Sequence, residues 1–415
     1  MKSEERLIVT LDAPELGLAR PVGVLMRWPG TRPAISFAYA RSWREREDAF
    51  ALDPGLPLVE GDQYMSEGAL PPILADTAPD LWGKLLLERR EADTAEREGR
   101  RPRRLSEWEF LVGVSDETRM GALRLRRGVD GPFVNDAESA IPPLTGLRAL
   151  QAAAKAFEES QGAPVVDPTI ALLIAPGSSL GGSRPKANYR GVDGDLWIAK
   201  FPSRTDRRDS GAWELVFARL ARNAGIDVAD TDLLTLGGGG RTFVTRRFDR
   251  TAEGRRLFAS AMTMTGKRDG EPAGYPDLAQ AVADHVAHNA VREDLEQLFR
   301  RLVFNILAGN RDDHLRNHGF LRLPEGWRLA PAYDLNPARE MAQHSLAIDG
   351  RTTTPSLTAA LATRGMYQLS EPHAHAIVRE VALAVSSWRD VARELHISGV
   401  EQATVGTVFV SDTGS

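Results

Sequence analysis

The sequence predicts an α+β fold with two lobes and an N-terminal β-rich subdomain. Three observations support this prediction. Short apolar strand patterns dominate residues 1–130, a glycine- and serine-rich loop followed by a lysine-bearing strand lies in the middle of the chain, and long helical patterns dominate beyond residue 250. A chain of 415 residues also exceeds what one hydrophobic core usually supports, so two or three packed subdomains are expected.

Composition and charge narrow the functional classes. A net charge of −5 gives no general attraction to nucleic acid or anionic lipid, so any association with DNA is expected only indirectly, through a partner protein. The chain has no cysteine, which excludes disulfides, thiolate metal sites and cysteine nucleophiles. No apolar run of membrane-spanning length occurs and the N-terminus lacks a signal-peptide core, so we expect a cytoplasmic protein without a membrane partner.

The first 130 residues read as strands and turns. Strands are predicted at 7–9, 22–26 and 35–39, where short apolar and β-branched runs are bounded by turn residues. A helix is predicted at 80–92, with Leu81, Leu85 and Leu86 at helical spacing. Residues 129–146 are rich in proline, glycine, aspartate and serine, which places a boundary there and defines an N-terminal subdomain over 1–130.

The order of elements over 147–250 is informative. The patterns predict, in order, a helix at 146–158, a Gly/Ser-rich loop at 177–186, a strand at 196–201, a helix at 210–224 and strands at 231–236 and 241–248. Loop, lysine strand, helix and two strands follow one another as in the small lobe of a protein kinase. We therefore predict an ATP-binding small lobe over 147–250 within a protein-kinase-like two-lobed fold.

The remainder, 251–405, is predicted to form a mainly helical large lobe that contains the catalytic loop. Residues 292–308 carry a continuous apolar stripe of helical period, and residues 372–395 repeat the pattern. The last fifteen residues are expected to be poorly ordered.

The segment Asn310–Asn317, followed by Tyr333 and Asp334, carries the residues expected to do chemistry. The intervening residues read as a β-hairpin, which returns its two ends to one place. Asn317 and Asp334 would then share a Mg²⁺ ion that bridges nucleotide phosphates, and Asp312 would accept the proton of the attacking hydroxyl. The alternative is that these polar residues only cap turns.

Lys200 lies in an apolar strand, where an ammonium needs an anionic partner. Nucleotide phosphates would serve, and Glu214 in the next helix could reach it as the lysine–glutamate pair of protein kinases does. The alternatives are that Lys200 protects an exposed edge strand and that Glu214 is a plain surface residue, which is the favoured interpretation for Glu214.

The loop at 177–186 offers backbone N–H groups, including those of Gly181 and Gly182, that could cradle phosphate. Lys186 could balance phosphate charge, and Ser179 is a candidate self-phosphorylation site. The loop matches neither the Walker pattern nor the kinase GxGxxG spacing, so a plain connecting loop stays open as an alternative.

His314 and His318 are four residues apart, and a helical conformation would place both on one face as metal ligands. The HExxH motif of zinc proteases is absent, which leaves a metal hydrolase as a minor alternative. We predict that His314 positions the catalytic loop by hydrogen bonding.

With these motifs in view, the chain resembles the HipA-type toxin kinases of bacterial type II toxin–antitoxin systems over nearly its full length. The resemblance rests on Ser179 to Lys186, Ile198 to Pro202, Arg247 to Arg250, Asn310 to Asn317, and Pro331 to Asp334. In the N-terminal part it rests on Leu70 to Asp76, Pro79-Asp80, and Gly121 to Arg124.

The resemblance implies a Ser/Thr protein kinase that uses ATP and Mg²⁺. In that case Asp312 is the base, Asn317 and Asp334 hold the metal, and Lys200 contacts phosphates. Adenine would meet backbone groups of the segment from Arg246 to Phe248, with Asp249 near the ribose. Arg246 stands where family members often carry glutamate, but a contact through the backbone should survive that difference.

The resemblance also implies regulation and partners. Ser179 matches the serine that family members autophosphorylate, which would eject the loop and disable ATP binding. Family members phosphorylate translation components, notably aminoacyl-tRNA synthetases, and are neutralised by a HipB-like helix-turn-helix antitoxin that tethers them to operator DNA. The target does not carry over, because family members differ in substrate. A small-molecule kinase and a catalytically inert antitoxin-binding scaffold stay open as alternatives.

Overall fold

A computed structural model describes residues 4–28, 30, 33–136, 141–160, 173, 182, 184–237 and 239–410. The chain divides into two compact units. The first comprises Met1–Arg204 with Asp249–Ala259, and the second comprises Thr205–Phe248 with Ser260–Ser415. The predicted boundaries near residues 130 and 250 stay a prediction. Among the described residues, no helix combines the length and the apolar character that crossing a bilayer requires.

The first unit contains a five-stranded antiparallel sheet in the order β4-β3-β2-β1-β5. Its strands are β1 (Glu5–Ala13), β2 (Leu18–Trp28), β3 (Ala34–Tyr39), β4 (Gln63–Met65) and β5 (Leu123–Arg126). Central positions such as Val9, Leu25 and Phe37 are fully buried, so apolar burial fixes the register. The three predicted strands of this region are confirmed and are longer than predicted.

Helices and one hairpin complete the first unit. The helices are α1 (Arg41–Arg44), α2 (Pro72–Ala75), α3 (Leu81–Arg97), α4 (Glu107–Gly113) and α5 (Leu147–Glu159). The hairpin pairs β6 (Lys186–Arg190) with β7 (Leu196–Lys200). The predicted helix at 80–92 is confirmed, but Leu81 is 56% exposed and Leu85 is also exposed, because α3 buries the face that carries Trp82, Leu86 and Leu87.

The second unit begins with α6 (Ser210–Asn223) and the antiparallel pair β8 (Thr231–Leu234) and β9 (Thr242–Arg246). The strand β10 (Leu257–Ser260) spans the boundary between the two units in sequence. There follow α7 (Ala261–Thr265), α8 (Tyr275–His285), α9 (Val291–Ala308), β11 (Gly319–Leu323), β12 (Gly326–Leu329), α10 (Leu357–Ala362), α11 (Glu371–Ser386), α12 (Trp388–Glu394) and α13 (Gly399–Val405).

The helix α9 forms the centre of the second unit. Its apolar stripe, including Leu298, Phe299 and Leu302, is fully buried, as the helical period predicts. The helix ends at Gly309, whose φ of +74° is the left-handed conformation that suits a glycine cap. The chain therefore leaves this rigid helix directly into the segment that begins at Asn310.

Two expectations for the C-terminal region are wrong. The helix predicted over 372–395 is interrupted at Ser387, whose hydroxyl donates to the Ala384 carbonyl oxygen (2.8 Å) and so caps α11 before α12 begins. Residues 401–410, expected to be poorly ordered, extend through α13 to Phe409, whose ring stacks on Trp388 with 4.5 Å between centroids. Stacking of Phe409 on the buried Trp388 ring holds the segment in place.

Candidate active site

The predicted hairpin between Asn317 and Asp334 is confirmed. β11 and β12 pair antiparallel, and the Ala330 N–H donates to the Gly319 carbonyl oxygen (2.8 Å). Just beyond this bond, the Tyr333 hydroxyl donates to the Arg316 carbonyl oxygen (2.7 Å). The two ends of the hairpin, which Asn317 and Asp334 flank, are therefore held together.

The Asn317 side chain is oriented by the backbone of its own loop. Its Nδ2 donates to the Asp312 carbonyl oxygen (3.0 Å), which commits the nitrogen end of the amide to the protein. The Oδ1 atom is then the end with ligand character. An amide oxygen of this kind, together with a carboxylate, is a donor set that suits Mg²⁺.

Asp334 has a backbone φ of +57°, in the left-handed region that non-glycine residues adopt rarely. Its Oδ1 accepts a hydrogen bond from Asn336 Nδ2 (3.2 Å). Backbone strain of this kind concentrates at functional sites, where the surrounding structure holds a side chain in a required direction.

Asp312 is exposed at the start of the loop. Surrounding protein atoms raise the pKa of its carboxyl group because they displace water; His314 opposes this effect, and the Asp334 and Asp313 carboxylates add to it. A raised pKa suits a carboxylate that must accept a proton.

The metal-hydrolase alternative rested on His314 and His318 sharing a helix face. Residues Leu315–Asn317 form a single 3-10 turn, and His318 begins an extended segment, so the two histidines do not lie on one helix face. His318 is buried and its Nε2 lies 2.9 Å from an Asp313 carboxylate oxygen. Among the described residues, no three histidine, aspartate or glutamate side chains group as a metal site.

Family models match most of the chain. The model of the HipA-like C-terminal domain matches residues 178–388, and the model of the HipA N-terminal domain matches residues 18–126. The chain belongs to the HipA family. The resemblance predicted from the motifs is thereby confirmed.

Individual relatives agree with this membership. The chain is 32% identical over 162 residues to Putative kinase Y4dM of Sinorhizobium fredii, an alignment that covers 34% of this chain and 37% of that protein. It is 25% identical over 336 residues to Putative kinase Y4mE of the same organism, covering 72% of this chain and 71% of that protein. The chain spans about two fifths or less of the length of the first curated relatives that it matches, which include Y4dM.

One solved structure has a similar fold. The Shewanella oneidensis HipA, solved with HipB and its operator DNA, superposes with a TM-score of 0.66 at 19% identity and covers 97% of this chain and 94% of that one. This match confirms the predicted α+β fold with its N-terminal sheet and helical C-terminal region.

Two of the predicted site residues in the phosphate-loop motif, Ser179 and Gly181, lie outside the described residues. Gly182 is exposed and has a φ of +96°, and its carbonyl oxygen accepts from the Trp82 N–H (3.3 Å). Lys186, expected to balance phosphate charge, is 1% exposed, and its ammonium lies 2.7 Å from the Asp80 carboxylate. Phosphate binding by Lys186 stays a prediction.

Lys200 and Glu214 lie in different units. Lys200 ends β7, opposite Lys186 in the hairpin, and its pairing with Glu214 stays a prediction. The favoured interpretation of Glu214 as a surface residue is wrong, because it is 4% exposed inside α6. A buried carboxylate requires partners, so Glu214 has a role within the fold.

The predicted nucleotide segment is split between the units. The Phe248 ring lies 5.4 Å from the Tyr333 ring between centroids, next to Asp334, and the Arg246 N–H donates to the Asp230 carbonyl oxygen (2.8 Å). In the first unit, Asp249 is fully buried and accepts from the Gly121 N–H (2.7 Å). Its expected contact with ribose stays a prediction.

Sequence reasoning missed several polar residues around the site. These are Tyr275, Asn305, Asp313 and Asn336. Asn305 carried a usable signal, because an amide within the apolar stripe of α9 must find buried partners. The others became visible only through their contacts.

Proposed function

We propose that this chain is a HipA-like serine/threonine protein kinase that uses ATP and Mg²⁺ and acts as the toxin of a toxin–antitoxin pair. One observation carries the proposal: a hairpin joins Asn317 to Asp334 beside Asp312 in a member of the HipA family. A carboxylate, an amide and a second carboxylate, in this order along the chain, fit phosphoryl transfer.

In the proposed reaction, Asn317 Oδ1 and the Asp334 carboxylate hold the metal, which when bound would neutralise charge on the phosphates. The Asp312 carboxylate accepts the proton of a serine or threonine hydroxyl. That oxygen forms a bond to the γ-phosphorus as the bond between this phosphorus and the bridging oxygen breaks. ADP is released with the electron pair of the broken bond, and the phosphate remains on the protein substrate.

His314 acts as a positioning residue in this proposal. The His314 carbonyl oxygen accepts from the Asn317 N–H (2.8 Å), which closes the 3-10 turn between them. The charge of His314 also opposes the rise in the Asp312 pKa. From the resemblance to the family, nucleotide contacts are also expected from Lys200, Lys186, Gly181, Gly182 and the segment from Arg246 to Asp249.

Regulation and partners follow the family. We expect autophosphorylation on Ser179, inhibition by a HipB-like helix-turn-helix antitoxin, and contact with operator DNA only through that antitoxin. The match to a HipA solved with HipB and operator DNA motivates this expectation. The protein substrate is expected among translation components such as an aminoacyl-tRNA synthetase.

The proposal is tested by incubating the purified full chain with γ-labelled ATP, Mg²⁺ and a bacterial lysate. Labelled protein bands are expected, and Asp312→Asn should reduce labelling about 10²- to 10⁴-fold. Asp390→Asn, an exposed aspartate of α12, is the matched control and should label as the wild type does.

Label found only in small molecules would replace the protein substrate with a small one. No turnover of ATP by folded protein would overturn the enzymatic proposal and favour an antitoxin-binding scaffold. Mass spectrometry of the labelled chain tests the autophosphorylation site, since phosphate found elsewhere but never on Ser179 would contradict that assignment.

A further inference from the structure

A buried polar cluster lies directly behind the catalytic loop. Asp313 is 2% exposed and its carboxylate accepts hydrogen bonds from the Tyr275 hydroxyl and from Asn305 Nδ2 (2.9 Å). His318 Nε2 approaches the same carboxylate at 2.9 Å. Three groups from three different elements therefore meet on the residue next to Asp312.

The cluster continues through two asparagines. Asn305 Oδ1 accepts from Asn310 Nδ2 (2.9 Å), and Asn310 Oδ1 accepts from the Asn336 N–H (3.3 Å). Asn336 Nδ2 then donates to Asp334 Oδ1 (3.2 Å). An unbroken path of hydrogen bonds thus leads from the Asp313 carboxylate to the carboxylate proposed to hold Mg²⁺.

Asn305 and Asn310 each donate with the side-chain nitrogen and accept with the side-chain oxygen, so neither amide can turn over without breaking two bonds. Asn336 donates on both sides, with its backbone N–H to Asn310 and with its side-chain nitrogen to Asp334. Asn305 and Asn310 are both fully buried, where a broken amide bond is not replaced by water. The path is therefore a rigid connection between the loop that carries Asp312 and the segment that carries Asp334.

The conformation of Asp334 explains why such a connection is needed. Its left-handed backbone is unfavourable for an aspartate, so the carboxylate keeps its direction only if neighbouring groups hold it. The Asn336 side chain bonds to the Asp334 carboxylate, and Asn336 is in turn fixed through its backbone N–H, which donates to Asn310.

We propose that Asn310 and Asn336 are positioning residues that hold the Asp334 carboxylate in its metal-binding direction, with the Asp313 cluster as their anchor. The functional part of this inference rests on the proposed kinase site. Groups that orient a metal ligand without touching the metal typically change metal affinity by about 10- to 100-fold when removed.

The first test measures how much Mg²⁺ is needed for half-maximal ATP binding by the full chain. Asn336→Ala and Asn310→Ala are each expected to raise this concentration by about tenfold or more. Gln297→Ala is the matched control, because Gln297 also ties a loop with two amide bonds, to the Asp227 N–H (3.1 Å) and the Gly225 carbonyl oxygen (2.9 Å). An unchanged Mg²⁺ requirement in both variants would overturn the positioning role while leaving the kinase proposal intact.

The second test needs no nucleotide. Hydrogen exchange of the peptide that contains Asn336 should be slow in the wild type and in Gln297→Ala, and about tenfold faster in Asn310→Ala, because the Asn336 N–H loses its acceptor. Equal exchange in all three proteins would refute the connection even if the wild type binds no nucleotide. Absence of nucleotide binding by the wild type, with faster exchange in Asn310→Ala, would instead refute the kinase proposal and retain the connection.

Discussion

The Asp80 carboxylate lies 2.7 Å from the Lys186 ammonium, and the two side chains are 2% and 1% exposed. Asp80 also caps α3, because its Oδ1 accepts from the Gly83 N–H (2.7 Å). The indole N–H of Trp82 donates to the Lys186 carbonyl oxygen (3.0 Å). The start of α3 and the start of β6 are therefore joined at the edge of the phosphate-loop motif.

Loss of one partner of this pair should be strongly destabilising. Asp80→Asn keeps an oxygen for the helix cap but removes the charge that faces Lys186, so we expect the free energy of unfolding to fall by about 3–5 kcal/mol. Asp80→Asn combined with Lys186→Met should recover part of that loss, since no buried charge remains. Denaturant titration checks both. Glu107→Gln, which breaks the exposed pair with Lys84, is the control and should cost less than about 1 kcal/mol. A double variant no more stable than Asp80→Asn would contradict the explanation.

Activity should decline on acidification through the titration of Asp312. Its raised pKa places the acidic limb of kcat/KM above the pH at which an ordinary aspartate titrates, because the base must be deprotonated. Replacing His314 by glutamine removes a positive charge that lowers this pKa, so the limb should move to higher pH. Single-turnover phosphoryl transfer measured across pH tests this, and a limb that stays in place or moves to lower pH in His314→Gln would contradict it.

Phosphoryl transfer should require a divalent cation held by Asn317 and Asp334. Chelation by EDTA should abolish transfer, and excess Mg²⁺ should restore it. Asp334→Asn should raise the Mg²⁺ concentration needed for half-maximal transfer more than Asn317→Ala does, because it removes a negative charge as well as a ligand. Each variant should raise this Mg²⁺ concentration by more than about tenfold, because removing a group that only orients a metal ligand already lowers the metal affinity by about that factor. Full activity without a divalent cation would contradict this prediction.

Stability should fall as the pH is lowered through the titration range of His344. The residue is 3% exposed, and burial lowers its pKa from 6.5 to about 4; Asp313 opposes this effect and Arg311 adds to it. Since the folded state holds the imidazole neutral, stability is complete above about pH 6.5 and is lost progressively toward pH 4, by at most about 3 kcal/mol. Denaturant titrations at about pH 6.5 and at about pH 4 should show that His344→Gln removes this pH-dependent loss of stability. An equal loss of stability toward pH 4 in His344→Gln and in the wild type would contradict this assignment.

Gly309 should not tolerate a side chain. Its φ is +74°, and a Cβ atom would lie 2.6 Å from the Val408 carbonyl oxygen. Gly266 also caps a helix with a φ of +67°, but no atom lies within 4 Å of its Cβ position. Gly266→Ala should cost about 1 kcal/mol from backbone strain alone, and Gly309→Ala clearly more, because the C-terminal segment must move. Thermal or chemical unfolding measures the stability of both variants. Equal losses of stability would show that the C-terminal segment moves at no cost in free energy and would contradict this prediction.

Much of the fold was predictable because it depends on local patterns. The apolar period of α9, the short apolar and β-branched runs of β1 to β3 and the turn residues between β11 and β12 each indicate one element without reference to the rest of the chain. The meeting of Asn317 and Asp334 was also predictable, since an antiparallel hairpin brings its two ends together whatever surrounds it. Family membership followed from short motifs in sequence.

The sequence by itself therefore determined the element order, the hairpin and the residue types of the proposed site. Only the tertiary structure decided that Asp80 pairs with Lys186, that Glu214 is buried, and that Asn310 connects α9 to Asn336. These contacts join residues from 5 to 106 positions apart that belong to different elements. A buried carboxylate or amide takes whichever complementary group the packing brings within about 3 Å, and a local pattern carries no information about that distance.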